Sequence, residues 1–91
     1  MENSYIELIE TIIKHQESII GPLAWNEAAK VQALKITNNR VTITGEGKIV
    51  IEHLVEQYEL LFGQASVEAC KDAVRPLIAK MNNIDLPQIL Q

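Results

Sequence analysis

The sequence predicts a small α+β domain, mainly helical, in the order helix, helix, β-hairpin, helix, helix. Three observations predict it. Apolar residues recur at helical spacing in both halves of the chain. The period switches to strict alternation between Leu34 and Thr44, around Asn38-Asn39. Gly21-Pro22 and Gly63 punctuate the helical stretches on either side. At 91 residues the chain is one domain's worth. A chain of this size hides roughly 60–65% of its unfolded surface on folding, so a single modest core is expected. With 47% hydrophobic residues but only 4% aromatic ones, that core must be aliphatic.

The first helix is expected over about Ser4–Ile20. Ser4-Tyr5-Ile6-Glu7 fits a capping box, in which hydroxyl and carboxylate each satisfy an orphan amide. Tyr5, Ile9, Ile12, Gln16 and Ile19 then recur along one stripe, broadened by Ile6, Ile13 and Ile20. Gly21 suits the left-handed position after a helix end, and Pro22 suits the opening of the next helix. The second helix is expected from Pro22 to about Ala33, with Ala24, Ala28 and Val31 on one face and Trp25 and Ala29 beside them.

Leu34 to Thr44 reads as a hairpin. Two asparagines can take the positive φ angles of a two-residue turn. The register then sets Thr37 opposite Arg40, Ile36 opposite Val41 and Leu34 opposite Ile43. Directly opposed residues share a face, so Leu34, Ile36, Val41 and Ile43 form an apolar side. Lys35, Thr37, Arg40 and Thr42 form the polar one.

A third helix is expected over about Lys48–Phe62. Its core face is Val50 or Ile51, Leu54 or Val55, Tyr58, and Leu61 or Phe62, and Glu52, Glu56 and Glu59 form a solvated stripe. Gly63 closes it. Ser66 is expected to cap a fourth helix whose Val67, Cys70, Val74, Leu77, Ile78 and Met81 share a side, ended by Asn82-Asn83. The domain thus spans residues 1–83, and residues 84–91 form a short tail. Leu86, Ile89 and Leu90 make that tail apolar enough to dock on this or a neighbouring chain.

Composition excludes several functions. A net charge of −4 with scattered lysines and arginines is the wrong footprint for a nucleic-acid binder. One cysteine allows no internal disulfide and no cysteine-based metal cage. Met-Glu-Asn-Ser lacks the basic region of a secretory signal, and Lys14-His15-Gln16-Glu17 interrupts the apolar run that follows. A membrane span is therefore not expected. A soluble cytoplasmic protein is.

No residue set signals catalysis. Thr44-Gly45-Glu46-Gly47-Lys48 joins a strand to a helix, as phosphate loops do. It lacks the first glycine, has Ile49 where a hydroxyl belongs, and carries Glu46 where a phosphate would sit. A strand-to-helix turn is the better reading. His53 and Glu56 share a helical face, but one such pair is too few ligands for a catalytic metal, and His15 reads as a boundary residue. Cys70 lies on an apolar stripe with no cation at i+3 or i+4 to activate it, so it reads as a small buried hydrophobe. No cofactor is expected. Trp25, among alanines, reads as a core plug, with an exposed anchor for a partner as the other reading.

Ile20-Gly21-Pro22-Leu23-Ala24, with the acidic and aliphatic helix before it, resembles a small helical module. That module occurs at the ends of some bacterial kinases and of signalling proteins in archaea and cyanobacteria, where an Ile-Gly-Pro motif joins two helices. The resemblance covers five residues and the flanking helices. It implies an accessory or interaction domain and brings no catalytic residues. The hairpin at Leu34–Thr44 departs from it.

The expected function is a non-catalytic protein–protein interaction or adaptor module that forms a homodimer. A two-stranded hairpin is marginal alone, and its free edge is a template for another chain. Trp25, Ile36, Val41, Ile43, Leu86, Ile89 and Leu90 are the candidate contact residues for a partner or ligand. Two alternatives stand beside it: a sensor or carrier holding a small apolar ligand between helices around Trp25, and a non-catalytic subunit of an enzyme complex.

Overall fold

The computed structural model describes residues 4–81 and 84–91. Its elements follow the expected order: α1 Ser4–Ile20, α2 Leu23–Ala28, β1 Leu34–Thr37, β2 Arg40–Ile43, α3 Gly47–Phe62 and α4 Gln64–Ile78, then a 3₁₀ turn at Gln88–Leu90. The fold is a small, mainly helical α+β domain. Ser4, the expected cap, already lies within α1, and the residues before it lie outside the described residues.

The hairpin has the expected register, Leu34 opposite Ile43 and Thr37 opposite Arg40. Asn38 and Asn39 both take positive φ, 52° and 60°, as a two-residue turn that matches strand twist requires. Leu34 and Val41 are buried, Ile36 and Ile43 half-buried, and Lys35, Thr37, Arg40 and Thr42 exposed. The outer edge of β2 is occupied: the Glu10 carboxylate of α1 accepts the Val41 amide proton at 3.0 Å.

The core is one aliphatic cluster. Leu8, Ile9, Ile12 and Ile13 of α1 pack against Ile51, Leu54, Val55 and Tyr58 of α3 and Val67, Cys70 and Val74 of α4. Ala24 and Ala28 let α2 close on the same cluster. Tyr58 reaches across and donates its hydroxyl proton to the Ala24 carbonyl at 2.7 Å. The tail belongs to the core as well. Leu90 is 6% exposed, and the Tyr5 hydroxyl donates to the Asp85 carbonyl at 2.8 Å.

Three boundaries and one stretch of the expected core face differ from expectation. The second helix stops at Ala28 rather than near Ala33. Tight bonds from Lys30 to Glu27 and from Val31 to Ala28 wind the chain down, and Ala33 takes φ +73° to feed β1. The hairpin must start there, and that tertiary demand overrides alanine's helix propensity. Secondly, Ser66 caps nothing: α4 begins at Gln64 after Gly63, and Ser66 lies buried in the first turn. Thirdly, Leu61 and Phe62 are 47% and 37% exposed, because the core stripe of α3 ends at Tyr58 and its last turn finds no covering element. Finally, α4 ends at Ile78, two residues past Pro76, which has no amide proton to offer the Asp72 carbonyl. The expected stop at Asn82-Asn83 lies outside the described residues.

Candidate functional site

Large apolar side chains are left uncovered around the two helical corners. α1 and α2 meet at Gly21, and α3 and α4 meet at Gly63. Around these corners Ile19 (58%), Leu23 (41%), Leu60 (79%), Leu61 (47%) and Phe62 (37%) face solvent. Leu60-Leu61-Phe62 carries its own warning in the sequence: three consecutive apolar residues cannot share one helical face, so at least one must point outward.

A groove of about 330 Å³ opens between two of these segments. Ile19 and Ile20 of α1 form one wall, and Phe62 with Ala65 and Ala69 the other. The small alanines make the recess. Gln16 and Ser66 line its floor, 1% and 7% exposed. Gln16 Nε2 donates to the Ser66 carbonyl at 3.3 Å and toward Cys70 Sγ at 3.4 Å. A carbonyl can only accept, so this contact fixes which way round the amide sits. Gln16 Oε1 accepts no hydrogen bond from a described residue, nor is it sealed from the groove.

Two other depressions flank α3. One of about 400 Å³ is bordered by Lys30, Gln32, His53, Glu56, Gln57 and Leu60, and one of about 230 Å³ by Thr44, Glu46, Ile49 and His53. They are open and charged, and part of their border is already tied up. Glu27 binds Lys30 at 3.0 Å and accepts from Gln57 at 2.8 Å.

The residues weighed for chemistry are dispersed. Burial pushes the Cys70 thiol up to about 11, against the lowering effect of the Gln16 contact. Such a thiol carries almost no nucleophilic thiolate near neutral pH. His53 is exposed and His15 half-buried. Among the described residues, no group of three or more His, Cys, Asp or Glu side chains is placed to share a metal ion. The two-glycine loop is explained by packing at Gly47, where a Cβ would fall within 2.6 Å of three atoms of Tyr5.

The candidate contact residues separate. Val41 and Leu90 are buried in this chain's own core, while Ile36, Ile43, Leu86 and Ile89 are half-buried against it. Trp25 is half-buried and packs on the core, with its indole N–H buried and unpartnered among the described residues. It does not line the apolar groove. Gln16, Leu60, Phe62, Ala65 and Ala69 were not singled out as site residues from the sequence. The one early signal was Gln16, a polar residue inside an apolar helical stripe.

No family model matches the chain, and neither does any curated protein or solved structure. Among the described residues, no helix is long and apolar enough to cross a membrane.

Proposed function

We propose that this chain is a small non-catalytic interaction module that self-associates through the apolar side chains at its helical corners. The observation that carries the reading is the exposure of Ile19, Leu23, Leu60, Leu61 and Phe62 around the two helical corners. Large apolar side chains exposed close together mark contact sites more often than idle surface. The sheet edge is a weaker candidate, since Glu10 occupies β2 and Lys35 and Thr37 flank β1 with exposed polar side chains. The buried, proton-holding Cys70 and the dispersed histidines support a non-catalytic role. A single free cysteine suits a reducing compartment, and the cytoplasm is where we place the protein.

Light scattering at micromolar concentration tests the reading. The expected mass is that of a dimer, and a Leu60→Lys, Leu61→Lys double variant is expected to run as a monomer. Because both side chains are already exposed, the variant's stability should stay within about 0.5 kcal/mol of the parent. A parent chain that is monomeric and captures no partner in pull-downs sinks the reading. A monomer with a stoichiometric partner instead makes it a subunit of a larger complex.

A further inference from the structure

We propose that the groove between α1 and the α3–α4 corner binds a small uncharged apolar molecule carrying one hydrogen-bond donor, an alcohol or a phenol, which donates to Gln16 Oε1. The walls are hydrocarbon: Ile19, Ile20, Phe62, Ala65 and Ala69. At about 330 Å³ the space lies at the small end of ligand pockets, which run from roughly 300 to 1,000 Å³. The floor sets the chemistry. Gln16 is 1% exposed, and its amide nitrogen is held by the Ser66 carbonyl and the Cys70 sulfur. What it turns to the groove is a fixed acceptor with no donor. That oxygen opens on the groove without a donor among the described residues, so the hydroxyl proton of a bound molecule would take the place of water there. A carboxylate head would meet that oxygen acceptor to acceptor. A charged head of either sign would also enter a recess whose lining holds no ionisable side chain, and burying an unpaired charge is heavily penalised.

This inference uses the floor of the groove and does not rest on self-association, which light scattering on the same sample reads separately. The experiment is an amide-detected NMR titration of the full chain with 1-octanol, with 1-methoxyheptane as a donor-free isostere, and with octanoate. Saturable shifts are expected from 1-octanol at Gln16, Ile19, Ile20 and Phe62 through Ala69, with the other two probes binding about tenfold more weakly. In a Gln16→Met variant the alcohol should lose its advantage over the ether. Should that buried change unfold the chain, Ala69→Leu, on a half-exposed wall position, fills the recess instead and should abolish binding in a folded protein. Equal affinity for the three probes, tighter binding of octanoate, shifts centred elsewhere, or no shifts at all overturns the proposal. So do shifts at Gln16, Ser66 and Ala69 that depend on protein concentration but not on the probe, which would show a second copy seated in the groove.

Discussion

The two helical corners are wired alike and surrounded differently. At each, one glycine with positive φ, 73° at Gly21 and 80° at Gly63, ends one helix and opens the next. Its amide donates to the carbonyl four residues back at 2.8 Å in both cases. Its carbonyl accepts from the amide three residues on, at 3.0 Å for Gly21 and 3.1 Å for Gly63. Beyond the first corner, α2 is pinned to α3 by the Tyr58 hydroxyl on Ala24 and by the Gln57 amide on Glu27. Beyond the second, the comparable contact among the described residues is Gln16 on the Ser66 carbonyl, and Leu60, Leu61 and Phe62 are left in solvent. The difference teaches where an apolar surface comes from. A helix whose apolar sequence outlasts the element it packs on must expose the remainder.

The largest expected effect separates the corners by backbone alone. An added Cβ would meet nothing within 4 Å at either glycine. Gly63 combines φ 80° with ψ −167°, a region essentially closed to other residues, so Gly63→Ala should cost about 2–3 kcal/mol. Gly21→Ala, in the left-handed region, should cost about 1–2 kcal/mol. Urea denaturation of both variants checks the ranking. Equal losses would break the claim that the second corner is the more demanding one.

These corners also show how far the sequence could be read. Gly21-Pro22 is legible because both residues point to the same event, a helix end followed by a helix start. Asn38-Asn39 is legible because alternation and turn chemistry agree on one register. At Gly63 only the stop was legible. Ser66 drew the next start three residues late, because a hydroxyl three residues past a glycine imitates a cap. Ala33 gave no signal at all, since alanine is a helix former pressed into a left-handed turn by the strand that follows. The groove was hidden for a different reason. Its walls come from α1, α3 and α4, and only their packing decides that Ala65 and Ala69 face a space rather than a neighbour. Periodicity placed Gln16 on the buried stripe but could not say which polar atom would be left without a partner.

The next effect tests the pin on the first corner. Tyr58→Phe keeps the ring that fills the core and removes the proton given to Ala24. The expected loss is about 1 kcal/mol, the net worth of an ordinary hydrogen bond. Native-state hydrogen exchange should quicken at the amides of α2, from Ala24 to Ala28, and stay unchanged over the first turns of α4. Uniform quickening would mean that the corners open together, and that the pin stabilises the whole domain rather than one corner.

The smallest effect comes from Glu27 and is seen through pH. Its carboxyl is held below the ordinary value of 4.5, first by the hydrogen bond from Lys30 and then by the one from Gln57. A group whose folded pKa is depressed takes up its proton in the unfolded chain first. Its stabilising contribution is therefore complete above about pH 4.5 and is lost as the pH falls through the folded-state value. Glu27→Gln cannot hold a charge, while its oxygen can still accept from Gln57. The difference in stability between parent and variant should be present at pH 7 and shrink on acidification below 4.5. Lys30 is 63% exposed, so added salt at neutral pH should reduce the difference as well. A difference that stays constant across both titrations would show that α2 is held to α3 by packing and the Gln57 contact alone. The first corner would then owe its pin to neutral hydrogen bonds, and the ion pair would add nothing to it.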